Sequence, residues 1–212
     1  MCGRFGISQQ EHELETAFNA EFYTDEVRER YNPDYDIRPS NDVPIITSED
    51  SGHIHLAHWG FKGKIFNPKT KNTVDKLFIN ARGETIDEKK SFKGPWQQGH
   101  RCIFLMSRFY EWMATSKGKI PFAIQLKSGE PFAVAGIYKM QEIDEEKRMV
   151  ATLITTTGNQ LLHLVHNNGN NKHRMPAMLT SEEWLKWTDI ALPPPEAKAM
   201  IDSFPDDALQ AY

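Results

Sequence analysis

Arg101-Cys102-Ile103-Phe104-Leu105-Met106-Ser107-Arg108-Phe109-Tyr110-Glu111-Trp112-Met113 contains two short apolar and aromatic runs, Arg101 to Met106 and Phe109 to Met113. Residues of these types fit a pleated, half-buried surface, and the runs have strand length rather than helix length. Three similar runs follow, Pro121 to Leu126, Phe132 to Tyr138 and Met149 to Thr156, with Ser128-Gly129 supplying a turn. Upstream, Tyr35 to Pro39 and Val43 to Thr47 read as extended because proline interrupts them, and His53 to Trp59 partly alternates. Helical signals flank this β-rich centre. Ser8-Gln9-Gln10-Glu11 fits a capping box with Leu14, Ala17 and Phe18 at helical spacing behind it, predicting a helix from Gln9 to Asn19 with Cys2 on an extended arm before it. Further helices are expected at Asn159 to Val165, over Trp184 to Trp187 behind Thr180-Ser181-Glu182-Glu183, and at Pro195 to Ser203. The pattern is α+β: a mostly antiparallel curved sheet or barrel-like core with peripheral helices. The 212 residues hold no repeat, low-complexity tract or convincing linker, so one domain spanning 1–212 is expected.

Hydrophobic residues make up 39% of the chain and charged residues 25%, with five tryptophans and twelve phenylalanines, enough apolar surface to bury a core. Met1 to Ser8 has no signal-peptide core, and no apolar run approaches the roughly 18 residues of a membrane span. A cytoplasmic monomer is expected, with no membrane association and with Cys2 and Cys102 reduced. The net charge of −4 argues against a uniformly basic nucleic-acid surface, but it averages unlike regions. Between Phe61 and Lys76 only Asp75 opposes Lys62, Lys64, Lys69, Lys71 and Lys76, while Glu142, Asp144, Glu145 and Glu146 crowd one later turn. The acidic excess is expected to sit away from a basic groove, although the lysine run read alone is a solvated loop.

Four places carry candidate chemistry. Removal of Met1 ahead of a small second residue would leave Cys2 as a 1,2-aminothiol, whose amine titrates near about 7.7–8.0 and whose thiol titrates near about 8.5. The amine can form a Schiff base with an aldehyde, and the thiol can then close a thiazolidine ring. Cys2 with Met1 retained reads instead as a small buried hydrophobe. Phe78-Ile79-Asn80-Ala81-Arg82-Gly83-Glu84-Thr85 combines an apolar approach with an amide, a guanidinium and a carboxylate, suited to a polar substrate and a phosphate, or else to capping a strand end. Glu111, between aromatics in a core-like run, suits general acid–base work if buried and is an ordinary edge glutamate if not. The segment Gly158 to Pro176 carries His163, His166 and His173 around an asparagine-rich turn. Its spacing matches no zinc motif, so no metal is expected and histidine reads better as a proton shuttle.

Met1-Cys2-Gly3-Arg4-Phe5, Asn80-Ala81-Arg82-Gly83-Glu84-Thr85, Arg101-Cys102 leading to Phe109-Tyr110-Glu111-Trp112, and His173-Arg174-Met175-Pro176 together resemble the SOS-response-associated peptidase family, in order and over nearly the whole chain. The resemblance implies a β-rich fold around a positive cleft, no cofactor, and thiazolidine capture of the ring-opened aldehyde of an abasic site in single-stranded DNA. It implies Cys2 as nucleophile, Asn80 and Glu111 as partners, and a histidine assisting imine chemistry. That histidine usually stands two residues before the arginine of Arg-Met-Pro, where this chain has Lys172. Counting from Gly158-Asn159 assigns the role to His166, with Asn167 to Lys172 as a loop insertion that bulges outward, and His173 is the second candidate. Arg4, Arg82 and Arg174 are expected to hold phosphates, and Trp59 and Phe66 to stack on bases beside the lesion. The family name also leaves open an N-terminal-cysteine autopeptidase, and the lysine run leaves open a non-covalent single-strand binder.

Overall fold

A computed structural model describes residues 2–212; the expected removal of Met1 lies outside the described residues. In chain order the first half comprises β1 (Phe5–Ile7), α1 (Glu11–Phe18), β2 (Glu21–Phe22), α2 (Asp25–Arg30), β3 (Asp34–Ile37), β4 (Asp42–Thr47), β5 (His53–Trp59), β6 (Phe61–Asn67), β7 (Asn72–Phe78), β8 (Asn80–Arg82) and α3 (Lys90–Gln97). The second half comprises β9 (Arg101–Met106), β10 (Arg108–Thr115), β11 (Gly118–Leu126), β12 (Phe132–Ile143), β13 (Glu146–Thr157), α4 (Gln160–Val165), β14 (Arg174–Pro176), β15 (Met178–Leu179), α5 (Ser181–Trp187), α6 (Pro194–Ala199) and β16 (Leu209–Ala211).

The two runs in the 101–113 segment belong to different sheets. All six residues of β9 are buried, and β9 lies between β4 and β12 in the larger sheet. β12 and β13 form a long hairpin, and β13 returns to pair in parallel with β5 through Val150 with His58 and Ala151 with Trp59. That pairing closes β5, β4, β9, β12 and β13 into a five-stranded barrel, which removes the unpaired edges. β10 belongs to a second sheet ordered β16-β11-β10-β1-β3. Ser107 makes the corner: its N–H donates to the Gly6 carbonyl at 2.8 Å, and its hydroxyl accepts from the Ser8 N–H at 2.7 Å. Phe5 bridges the layers, with its ring 5.1 Å from Trp59 and 6.4 Å from Phe104. The expected α+β architecture with a barrel-like core is the one observed.

Local details depart from expectation for physical reasons. Helix α1 begins after Gln10, whose capping box pairs it with Glu13, because Ser8 is already engaged with the Ser107 corner. Helices α2 and α3 lie where no helix was expected, α2 capped by the Thr24 hydroxyl, which accepts from the Val27 N–H. The lysine run is a β-ribbon, β6 paired with β7, rather than a loop. Nor does the acidic turn sit apart from it. Asp144 and Glu145 occupy the positive-φ positions of the β12–β13 turn, and Asp144 lies 3.1 Å from the Lys62 ammonium. No described helix is long and apolar enough to cross a membrane.

Candidate active site

Cys2 leads into β1 of the second sheet and is only 1% exposed, so it lies in the core rather than on an arm. β8 holds it from the other side. This three-residue strand pairs in parallel with β13, and its alternation buries Ala81 while directing Asn80 and Arg82 to the opposite side. The Asn80 amide donates to the Cys2 carbonyl at 2.9 Å. The site thus lies at the seam between the two sheets. Burial, and then the nearby Glu111 carboxylate, push the Cys2 thiol up to about 12, so the partly ionised thiol expected at neutral pH is absent. The Sγ–H instead points to the Arg4 carbonyl at 3.7 Å.

Glu111 comes from β10, where alternation sends Phe109 and Glu111 inward and leaves Tyr110 and Trp112 half-buried. Burial raises its carboxyl to about 7, the range of a group that both gives and takes a proton near neutrality. His166, 6% exposed, caps α4 and sets Nε2 3.8 Å from Glu111 Oε2. Its Nδ1 lies 3.1 Å from the Arg174 carbonyl and 3.4 Å from the Arg174 N–H, contacts that require opposite tautomers. The shorter one assigns the proton to Nδ1 and leaves the Nε2 lone pair toward Glu111. Burial lowers the His166 pKa, so the ring is neutral when Glu111 titrates.

His173 lies elsewhere. Its ring stacks on His163 with centroids 4.4 Å apart, and its N–H donates to the His166 carbonyl at 2.7 Å, closing the loop between the two residues.

The residues expected at the DNA surface divide. Arg82 is exposed, on the same strand as Asn80, and its guanidinium donates to Asn171 Oδ1 at 2.5 Å. Arg4 pairs with Asp36 and stacks over Tyr110 at 5.0 Å. Phe66, 61% exposed, projects from the β6–β7 ribbon. Arg174 is 8% exposed; its guanidinium grips Glu84 with two bonds of 2.8 and 2.9 Å and the Thr155 carbonyl at 2.7 Å. That bidentate pair holds the Glu84 carboxyl below its ordinary range, and a phosphate would reach Arg174 only by displacing Glu84. Trp59 is fully buried between Phe5 and Phe104, with its indole N–H donating to the Ile79 carbonyl at 2.9 Å. It is core, and the expected stacking of Trp59 on a base is corrected accordingly.

Sequence reasoning missed the asparagine loop as part of the rim. Asn167 pairs its side-chain amide with both backbone groups of Ala114, at 2.8 and 3.2 Å, so the insertion folds back onto β10 rather than only bulging outward. Run as composition, Asn167-Asn168-Gly169-Asn170-Asn171 signalled a turn and no more.

The family profile of SOS response associated peptidase (SRAP) matches residues 1–212. The abasic site processing proteins YoqW and YobE of Bacillus subtilis strain 168 are 32% and 30% identical to this chain over 217 residues. The alignments cover 100% of this chain and 91% and 93% of those proteins. A crystal structure of a Bacteroides thetaiotaomicron protein superposes with a TM-score of 0.84 at 28% identity, covering 100% of this chain and 91% of that one. A Bordetella bronchiseptica protein shares the fold at 19% identity, with a TM-score of 0.80 over 99% of this chain and 98% of that one.

Proposed function

The chain belongs to the SOS response associated peptidase family, and from that membership we propose that it processes abasic sites in DNA, capturing the ring-opened aldehyde of a single strand as a covalent adduct of Cys2. Relatives of matching length carry the name abasic site processing protein. The observation that carries the reading for this chain is the burial of Cys2 beside the Glu111 carboxyl, which titrates at about 7 and has the neutral His166 ring 3.8 Å away.

The chemistry follows from those environments. With Met1 removed, the Cys2 amine attacks the aldehyde carbon and gives a carbinolamine. Protonated Glu111 delivers a proton to the departing hydroxyl, water leaves, and an iminium forms. The new positive charge sits beside the thiol and opposes the burial that holds its pKa near about 12. Sulfur then attacks the iminium carbon, its proton passes to the Glu111 carboxylate, and a thiazolidine closes. Aldehyde and aminothiol thus become thiazolidine and one water. His166, neutral and with its Nε2 lone pair toward Glu111, relays the proton that the nitrogen sheds to the alkoxide as the carbinolamine forms. Asn80 fixes the Cys2 backbone so that amine and thiol face the same carbon. Arg4, Arg82 and Phe66 are the outer contacts for phosphates and a base, and Arg174 joins them only on exchange of Glu84.

Intact-mass measurement of the purified protein with and without an abasic single strand tests this reading. The expected species is the protein lacking Met1 plus the oligonucleotide less one water, absent with an intact strand. Loss of Met1 without any adduct would sink the covalent reading without establishing self-cleavage, since an ordinary aminopeptidase can remove Met1, and no adduct with Met1 retained would leave only non-covalent binding.

A further inference from the structure

Two walls of the site are joined by a loop to which the reaction above gives no part. After His166 the chain makes the excursion 167–172 and returns at His173, where the 2.7 Å bond from the His173 N–H to the His166 carbonyl closes the loop at its neck. Within it the Lys172 N–H donates to the Gly169 carbonyl at 3.2 Å, and Gly169 takes a φ of +88° that favours glycine. Both of its ends grip the site. On β10 the pairing with β1 ends where the Tyr110 N–H donates to the Arg4 carbonyl, and four residues on, along the same edge, Ala114 finds its backbone partners in the Asn167 amide. Glu111 lies on the strand between these two points. At the other end Asn171 Oδ1 accepts from the Arg82 guanidinium, two residues along β8 from Asn80.

The bond to Arg82 has a definite chemical sense. An exposed arginine samples many rotamers, and fixing one before a ligand arrives removes that ordering cost from binding. Asn171 does so through a neutral amide, which takes one N–H and leaves the full positive charge to attract an anion. An aspartate in the same place would cancel that charge. The amide oxygen is the atom turned to Arg82, as an acceptor facing a guanidinium must be.

We propose that Asn171 is a positioning residue that holds Arg82 in the conformation that receives a phosphate of the bound strand, and that Asn167 ties this holder to the strand bearing Glu111. The inference rests on the single-strand reading above, but on its binding half alone.

The test measures affinity for a fluorescent strand of thymidines with no lesion, and cross-linking of the same strand with one abasic site, for wild type, Asn171→Ala, Asn171→Asp, Arg82→Ala and the double variant Arg82→Ala with Asn171→Ala. Thermal midpoints report that each is folded. Asn171→Ala should weaken binding of the lesion-free strand about fivefold, the scale of one hydrogen bond that orients a charged group. Asn171→Asp should weaken it more. Adding Asn171→Ala to Arg82→Ala should change nothing further, because the residue being positioned is gone. Half-saturation in cross-linking should shift by the same factor while the limiting single-turnover rate stays that of wild type. Additive effects of the two alanines, an Asn171→Asp that binds as well as wild type, or a fall in the limiting rate at unchanged affinity would each overturn the proposal. A wild type that binds the lesion-free strand and never cross-links the abasic one sinks the proposed function, while the affinities still decide the role of Asn171.

Discussion

The buried site around Cys2 and the β6–β7 ribbon manage charge in opposite ways. In the buried site Cys2, Glu111 and His166 are at most 6% exposed, and burial moves all three proton affinities: the thiol up to about 12, the carboxyl up to about 7 and the imidazole downward. On the ribbon Lys62, Lys64, Lys69, Lys71 and Lys76 stand in water, and Phe66 is 61% exposed. Desolvation resets the proton affinities of a few groups, whereas solvated charge offers many weak and interchangeable contacts. Substitutions in the buried site should therefore act on the rate and in large steps. Those on the ribbon should act on affinity, in small steps that salt erases.

The largest effect belongs to Cys2. Cys2→Ala should abolish the adduct on a denaturing gel. Cys2→Ser should still form an imine and cleave or release the strand, since oxygen closes the ring more slowly and less stably. A Cys2→Ser adduct as stable as that of wild type would break the comparison, because the buried thiol would then be idle.

Glu111→Gln comes next, with the single-turnover rate expected to fall roughly 10²–10⁴-fold, the usual worth of a general acid–base. Stability should move the other way. The folded pKa of Glu111 is raised from 4.5 to about 7, so its contribution to stability is fully present below pH 4.5 and lost as pH rises through 7. Thermal melts should thus find Glu111→Gln more stable than wild type above pH 7, with the gap closing toward pH 4.5. A gap that does not change with pH would mean that the carboxyl is not desolvated as described.

Third, His166→Ala should slow cross-link formation or reversal markedly, and His173→Ala only slightly, through loss of its stack on His163. The reverse order would move the proton-handling role to the solvent side of the loop. Smallest is the ribbon. Lys64→Ala should flatten the salt dependence of single-strand binding by roughly 0.7 of a logarithmic unit if Lys64 meets one phosphate, with the limiting rate unchanged. A ribbon variant that slows chemistry at saturating DNA would blur the division.

How much of this was legible in the sequence depends on how far a residue's surroundings are local. The strands around Arg101 to Trp112 were readable because apolar density alone decides them, as were the capping box at Thr180 with Glu183 and the Asn159 cap of α4. The ribbon was missed because neither of its faces is covered along its length, so no alternation of polarity marks it. Trp59 could not be assigned to the core, since only the closure of β13 onto β5 and the packing of Phe5 bury it. Cys2 was misread for the same reason: its cover comes from chain segments near positions 80 and 111. Composition suggested the Glu111 carboxyl as an acid–base, but whether it is buried is a property of the packing around the seam.

The most direct test of the account is peptide mapping of the protein after reaction with an abasic single strand, followed by iodoacetamide under denaturing conditions and proteolysis. The account predicts that the oligonucleotide remnant sits on the peptide that begins with Cys2, with the thiol of that residue protected and the linkage resistant to borohydride. A remnant on a ribbon lysine, with Cys2 alkylated, would contradict it.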